Sequence, residues 1–221
     1  MTSGRVRKSV FFRPKSLICA GFAGRDQEKV REHIAELAKI GVSPPPETPT
    51  AYRVPTSLLT TANEIDVGGR KTSGEVEYVI LKDGNGMYVT VGSDHTDREL
   101  EGVDIQKSKL ACQKVMAPEV WSYDDLESHW DALELRSQVD EGGGTRDYQA
   151  GRLSELMLPL GLMHAFNATD YGTVIFSGTI PLKGEISFSD RFEMTLADPV
   201  LKRRISHGYS VRISNQGVGR A

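Results

Sequence analysis

The chain contains little cysteine, which argues against several classes of protein. Only Cys19 and Cys112 occur among 221 residues, and they form no Cys-x-x-Cys pair. A redox motif of that kind is therefore excluded. Two free, buried thiols are typical of proteins in the reducing cytoplasm, so we expect a cytoplasmic protein.

Long apolar runs and an excess of basic charge are also missing. The apolar run at residues 17–23 is far shorter than the roughly 20 residues that a membrane-spanning helix needs. Arg13-Pro14-Lys15 interrupts any signal-peptide core before it, so we interpret the run as a buried strand. The formal net charge is -3. We therefore expect neither nucleic acid nor a membrane as a partner.

The sequence lacks the short motifs of several common enzyme classes. Neither Gly-x-Ser-x-Gly nor His-Glu-x-x-His occurs, so serine-hydrolase and zinc-protease interpretations have no support. The glycine run at residues 142–145 lacks the Gly-Lys-Ser/Thr ending of a phosphate-binding loop, and we predict a flexible loop there.

The hydrophobic pattern predicts a mostly β chain with a few helices. Apolar residues at helical spacing indicate helices over residues 26–40, 123–135 and 148–162. Residues 43–49 are rich in proline and predict a stiff connector. Short strands are expected over residues 51–91 and 173–213. The turn at residues 83–86 predicts a hairpin between strands 75–81 and 87–91.

Two carboxylates, Glu75 and Glu77, lie two residues apart in one predicted strand. Side chains alternate between the faces of a strand, so both carboxylates project from the same face. Like charges on a half-buried face repel and are costly to desolvate, and a hard divalent cation removes both penalties. Asp94 follows as a third acid with no His/Cys cluster nearby, which favours Mg²⁺ or Mn²⁺ over zinc. An exposed strand face is the alternative interpretation of Glu-x-Glu.

Several segments, in order along the chain, resemble motifs of the fumarylacetoacetate hydrolase superfamily. Residues 49–58, followed by Glu75-Val76-Glu77, resemble its Pro-aromatic-Lys-Pro-Ser segment and its Glu-x-Glu metal strand. Residues 93–101 are similar to its Asn-Asp-x-Ser/Thr-x-Arg-Asp-x-Gln segment, whose first Asp is the third metal ligand; that position here is Asp94. Residues 172–179 resemble its Gly-Asp-x-Ile-x-x-Gly-Thr-Pro segment.

The resemblance implies a general acid/base pair on the first helix. His33 and Glu36 form a His-x-x-Glu motif, and positions i and i+3 are neighbours on a helix. In the family such a pair lies on a mobile helix, which implies that His33, oriented by Glu36, activates water. An exposed histidine on an amphipathic helix is the alternative.

The resemblance also implies substrate contacts. Lys109 falls where the family carries a lysine that contacts substrate, and we assign it to the catalytic residues with His33 and Glu36; Lys114 is the alternative. Arg53 stands where the usual residue is lysine, and such departures suggest a divergent subgroup. His95 either supports the metal ligands or makes a structural hydrogen bond, and Arg98 is expected to be tied down near the site. Four residues are assigned to substrate binding: Arg25, Arg53, Gly178 and Thr179.

The fold implied by the resemblance is mainly β (α+β), a mixed β-roll or sandwich with a small helical N-terminal part. We expect residues 1–48 to form a strand, a lid-like helix and the proline-rich connector. Residues 49–221 are expected to form the catalytic β domain. The resemblance further implies a homodimer.

The function that the resemblance implies is hydrolysis of a C–C bond in a small acidic 1,3-dicarbonyl or 2-oxo acid. The cation, Mg²⁺ or Mn²⁺, is expected to stabilise the enolate that forms as the bond breaks. Two alternatives stay open. The same site could serve decarboxylation, isomerisation or hydrolysis of an amide or lactone, or the protein could bind a small molecule without catalysis.

Overall fold

β-Strands are the main regular secondary structure of the described chain. The computed structural model describes residues 9–39, 44–84 and 86–214. Within these residues the strands are β1 (Ser16–Gly21), β2 (Thr50–Val54), β3 (Leu59–Thr60), β4 (Glu64–Val67), β5 (Thr72–Ser73), β6 (Val76–Asp83), β7 (Gly86–Asp94), β8 (Thr96–Asp97), β9 (Lys114–Met116), β10 (Trp121–Ser122), β11 (Glu134–Glu141), β12 (Gly144–Arg152), β13 (Thr173–Phe176), β14 (Arg191–Asp198) and β15 (Arg203–Ile213).

The helices are short and mostly peripheral. The α-helices are α1 (Gln27–Lys39), α2 (Arg98–Glu101), α3 (Ile105–Leu110) and α4 (Pro159–Ala165). Single turns of 3-10 helix span Thr56–Leu58, Tyr123–Asp125 and Leu153–Glu155, and a kinked one spans Glu127–Ala132. None of the helices in the described ranges has the length and apolar character needed to cross a membrane.

Two sheets build the body of the fold. The larger sheet has the order β2-β1-β13-β6-β7-β9-β3, with β10 paired to β7. The smaller sheet has the order β12-β11-β14-β15-β4, and β5 pairs with β8 in a separate ribbon. One core lies between the sheets, where Tyr78 and Val91 of the larger sheet meet the same apolar cluster as Phe192 and Leu196 of the smaller one. The mixed β-roll or sandwich predicted from the sequence is confirmed.

The central strand β6 is buried on both faces. Val76, Tyr78 and Ile80 belong to the core between the sheets, whereas Val79 and Leu81 belong to a second apolar cluster on the opposite face. A strand with two covered faces is continuously apolar rather than alternating. Polar side chains on such a strand are therefore exceptions, and Glu77 is one of them.

The local patterns that carry strong signals are confirmed. The helix predicted over residues 26–40 is α1, and the Asp26 carboxylate caps it by accepting hydrogen bonds from the backbone of Glu28 and Lys29. The predicted hairpin is β6 and β7. Asn85 in its turn lies outside the described residues, as does residue 43 of the connector.

Two predicted helices are wrong. Residues 123–135 form short 3-10 turns that lead into β11, and residues 148–162 are the end of β12, a 3-10 turn and the start of α4. Gly142 and Gly143, both with positive φ, join β11 to β12 in a hairpin where we predicted a flexible loop. Residues 149–152 pair with residues 134–137 of β11, which itself pairs with β14 some 60 positions away. Strand pairing therefore overrides the helical pattern there.

The predicted division of the chain near residue 48 stays a prediction. Strand β1 comes from the predicted N-terminal part and lies inside the larger sheet, antiparallel to β2 and parallel to β13. The sheet that carries the candidate site is therefore continuous across the predicted boundary.

Gly92 of β7 leaves no room for a side chain two residues before Asp94. A Cβ there would lie 2.5 Å from Val79 Cγ2, 2.6 Å from Phe176 Cε1 and 2.9 Å from the backbone oxygen of Val115. Because one of these neighbours is backbone, we expect Gly92→Ala to lower the free energy of unfolding by about 1–3 kcal/mol in urea denaturation. Gly68→Ala is the matched control, because a Cβ added at Gly68 would have no neighbouring atom within 4 Å. Equal effects of the two substitutions would contradict this account.

Candidate metal centre

Three acidic side chains meet where β6 and β7 pair. Glu75 lies directly before β6, Glu77 lies within it, and Asp94 ends β7. The antiparallel register pairs Val76 with Ser93, and the backbone amide of Asp94 donates to the Glu75 carbonyl at 3.1 Å. Cross-strand neighbours in such a ladder share a face. One carboxylate oxygen from each acid therefore lies within 4.8 Å of the others.

The cluster is buried except at one edge. Glu77 and Asp94 are 1% and 0% exposed, whereas the side chain of Glu75 keeps 13% of its surface. Anionic groups in such surroundings need compensation by cations or hydrogen bonds.

Two buried lysines compensate Asp94. Lys109 Nζ lies 2.7 Å from Asp94 Oδ2, and Lys114 Nζ lies 2.6 Å from Oδ1. Burial alone would raise the pKa of Asp94, but the charges of Lys109 and Lys114 outweigh it and lower the pKa to about 2. The Asp94 carboxylate is therefore ionised.

Glu75 is compensated from two other directions. Its Oε2 accepts from Lys109 Nζ at 3.0 Å, and its Oε1 lies 3.2 Å from Arg98. Burial opposes ionisation of Glu75, yet these two cations lower its pKa. Arg98 also pairs with Glu101 at 2.7 Å and donates to Ser73 Oγ, which confirms that Arg98 is tied down near the site.

Helix caps place the cations of the cluster. The Asp97 side chain accepts hydrogen bonds at the start of α2, which begins with Arg98. The Asp104 side chain caps α3 by accepting from the Lys107 amide, and α3 carries Lys109 on its buried side. Both caps follow the usual preference for Asp at this position.

Glu77 differs from the other two acids. Its Oε2 accepts from the backbone amide of Gly178 at 3.0 Å, but no cation among the described residues forms an ion pair with it. Burial, and then the charge of Asp94, raise the pKa of Glu77 well above its ordinary value. A buried carboxylate without a cationic partner is the least satisfied member of the cluster.

The donor set fits a hard divalent cation. Carboxylate oxygens are the ligands that Mg²⁺ and Mn²⁺ prefer, and three of them converge here without a cysteine or histidine in the group. A cation between them would supply the positive charge that Glu77 lacks. Glu75, Glu77 and Asp94 would hold it, in competition with the Lys109 ammonium.

The structure brings some of the predicted substrate residues to this cluster. Lys109 bridges Glu75 and Asp94, and the Gly178 amide binds Glu77. Thr179 Oγ1 donates to the carbonyl of Val76, between the two glutamates, at 2.8 Å. These residues border the candidate centre, and their roles toward a substrate stay predictions.

Other predicted residues lie elsewhere or are not described. Arg25 pairs with Asp131 and donates to two backbone carbonyls, and Arg53 is exposed on β2 and donates to the Phe166 carbonyl. Neither is brought to the carboxylates. Glu36 is exposed on α1. The side chain of His33 lies outside what the structure describes, so the His33–Glu36 pair stays a prediction.

Lys114 and His95 are buried beside the carboxylates and contact each other. Lys114 is fully buried, and its ammonium also donates to the His95 carbonyl at 2.8 Å. Burial, followed by the charge of Lys114, lowers the pKa of His95 to about 3, so its imidazole is neutral. His95 Nδ1 lies 2.9 Å from the Tyr209 hydroxyl.

Sequence analysis missed Tyr209 and Gln149, which contact the ligand-bearing strands from the smaller sheet.

The chain has the fold of fumarylacetoacetate hydrolase-like structures. One similar structure is 2-keto-3-deoxy-D-arabinonate dehydratase complexed with magnesium and 2,5-dioxopentanoate (TM-score 0.60, 16% identity, 91% of this chain and 74% of that chain). Another is a candidate fumarylacetoacetate isomerase/hydrolase from Oleispira antarctica (TM-score 0.60, 18% identity, 90% of this chain and 94% of that chain). A third is 4-oxalocrotonate decarboxylase from Pseudomonas putida G7, complexed with calcium and acetate (TM-score 0.51, 15% identity, 89% of this chain and 76% of that chain).

The sequence itself matches one family. Residues 20–209 match the family described as "Protein of unknown function (DUF2848)", and the chain belongs to that family. No curated protein sequence matches.

Proposed function

We propose that this protein is a divalent-metal-dependent enzyme acting on a small acidic oxo compound. The observation that carries the proposal is the convergence of Glu75, Glu77 and Asp94 in a buried cluster with one accessible edge. Similar structures of a dehydratase with magnesium and a decarboxylase with calcium support this class of chemistry.

The residues around the cluster suit an anionic, oxygen-rich substrate. A bound Mg²⁺ or Mn²⁺ would supply Lewis acidity toward a chelating carbonyl or carboxylate oxygen. Burial would lower the pKa of Lys109, but Asp94 and Glu75 raise it well above its ordinary value, so the side chain stays an ammonium. Lys109 can therefore bind a substrate carboxylate, with the Gly178 and Thr179 turn at the other end. His33, oriented by Glu36, would move the proton of an attacking water.

Hydrolysis of a C–C bond in a 1,3-dicarbonyl compound is the first candidate reaction. Decarboxylation of a 2-oxo acid is the second, and the similarity to 4-oxalocrotonate decarboxylase favours keeping it. Isomerisation and hydrolysis of an amide or lactone would use the same groups. A binding protein without turnover remains the alternative from a different class.

Turnover of a substrate panel tests the proposal. The panel contains acidic 1,3-dicarbonyl compounds, 2-oxo acids, amides and lactones, each with Mg²⁺, with Mn²⁺ and with a chelator. We expect metal-dependent turnover that Glu75→Ala abolishes. His33→Ala is expected to bind metal normally and lose turnover. Full activity in the chelator, or in Glu75→Ala, would refute the metal role.

Lys109→Met is expected to separate metal binding from turnover. The Lys109 ammonium lies within 3.0 Å of two proposed ligands and competes with the cation for them. Without it, the stabilisation that Mg²⁺ gives in thermal unfolding should exceed that of the wild type, while turnover falls. A smaller metal-dependent rise in the melting temperature than in the wild type would contradict this role.

The assembly and location also remain proposals. We propose a homodimer in the cytoplasm, with a small acidic molecule as substrate and no nucleic acid or membrane partner. Light scattering of the purified protein tests the dimer, since a monomer at micromolar concentration would contradict it.

A further inference from the structure

Two polar side chains of the smaller sheet cross the core to the strands that carry the acids. Gln149 lies on β12 and Tyr209 on β15, and both are 0% exposed. A polar group in an apolar core is costly unless it is hydrogen-bonded, so its partners indicate what holds it there.

The Tyr209 hydroxyl binds the residues on both sides of Asp94. It lies 2.8 Å from Ser93 Oγ and 2.9 Å from His95 Nδ1. Because side chains alternate along a strand, Ser93 and His95 point away from the face that Asp94 occupies. Ser93 Oγ also accepts from the Glu75 amide at 3.2 Å. One hydroxyl therefore holds the side chains on both sides of Asp94 and, through Ser93 Oγ, reaches the backbone amide of Glu75.

Gln149 bonds the backbone between the two glutamates directly. Its Oε1 accepts from the Val76 amide at 2.9 Å, and its Nε2 donates to Thr179 Oγ1 at 2.7 Å. That hydroxyl in turn donates to the Val76 carbonyl at 2.8 Å. Both polar groups of the Val76 backbone are thus held, and the flanking residues are Glu75 and Glu77.

We propose that Tyr209 and Gln149 are positioning residues that set the spacing of the three carboxylates for a metal ion. This inference rests on the proposed function. The three carboxyl groups come from two strands and must converge on one point to hold a cation, so a backbone that cannot relax keeps their oxygens within 4.8 Å of one another. Partners that orient metal ligands typically change metal affinity by about 10- to 100-fold when they are removed.

The test measures Mn²⁺ binding directly, by electron paramagnetic resonance and calorimetry on the purified full chain. The variants are Tyr209→Phe and Gln149→Met. The matched control is Tyr148→Phe, because Tyr148 is also buried in the smaller sheet but its hydroxyl accepts from the Ser187 amide instead. We expect the first two variants to bind Mn²⁺ about 10- to 100-fold more weakly, and the control to bind as the wild type does.

The melting temperature without metal separates positioning from general stability. Tyr209→Phe loses two hydrogen bonds and Tyr148→Phe loses one, so we expect the melting temperature to fall for both, and more for Tyr209→Phe. Unchanged Mn²⁺ affinity in both positioning variants, or an equal loss in the control, would overturn the inference alone. A wild type that binds no Mn²⁺ would overturn the proposed function with it. Should Tyr209→Phe fail to fold, Ser93→Ala breaks the same contact from the other side.

Discussion

Replacing Glu77 by glutamine is expected to weaken Mg²⁺ or Mn²⁺ binding by at least about 100-fold, the upper end of what loss of a ligand's partner costs. It should leave the metal-free protein as stable as the wild type or more stable. Glutamine has the same shape and can still accept from the Gly178 amide, so only the charge is lost. That charge is buried, without an ion-pair partner among the described side chains and near Asp94, so its removal costs the metal-free protein nothing.

Glu75→Gln is the control for this combination of weaker metal binding and undiminished stability. Glu75 pairs with both Lys109 and Arg98, so its neutralisation leaves two buried cations less satisfied. Calorimetric titration with Mn²⁺ and urea denaturation without metal measure the two quantities. Both variants should lose metal affinity, but only Glu75→Gln should lose stability. A Glu77→Gln protein with wild-type metal affinity would contradict the assignment.

Lys114→Met should cause the largest loss of stability, about 3–5 kcal/mol in the free energy of unfolding. Lys114 and Asp94 are both fully buried and lie 2.6 Å apart, so the substitution leaves Asp94 with Lys109 as its one remaining cation. The His95 carbonyl also loses its donor.

A surface lysine gives the matched comparison. Lys107 pairs with Asp104 at 3.5 Å, and its side chain is largely exposed. Exposed ion pairs contribute little, so Lys107→Met should change the free energy of unfolding by less than about 1 kcal/mol. Urea denaturation of both variants measures the free energy of unfolding. Comparable decreases in the two variants would contradict the structural role assigned to Lys114.

The candidate metal ligands could be predicted from sequence because the signal is local. Glu75 and Glu77 share a face through the two-residue period of a strand, and the turn at residues 83–86 brings β7 back beside β6. The third acid ends that second strand. A hairpin thus contains the whole cluster. Glu-x-Glu alone left an exposed strand face as the alternative, and the family resemblance favoured the metal site.

The support of the site could not be predicted because it is non-local. Tyr209 contacts Ser93 and His95 across more than 110 positions of sequence, and Gln149 contacts Val76 across 73. Gln149 also lies in a segment whose local pattern predicted a helix, where strand pairing decides otherwise. No local pattern marks a buried glutamine as a partner of a distant strand.

Arg53 shows that a motif position does not by itself predict where a side chain lies. Arg53 occupies the motif position of the family's lysine, but the alternation of β2 buries Tyr52 and leaves Arg53 exposed. Motif position fixes which strand carries a residue. A shift of one residue decides which face it occupies.

Anomalous diffraction from crystals soaked in Mn²⁺ tests the central claim most directly. The account predicts one strong peak bounded by carboxylate oxygens of Glu75, Glu77 and Asp94, at metal–oxygen distances of roughly 2.0–2.6 Å. The Lys109 ammonium should be displaced from at least one of its two carboxylate partners. Lys109 still bridging Glu75 and Asp94 with no anomalous density beside them, at millimolar Mn²⁺, would contradict it.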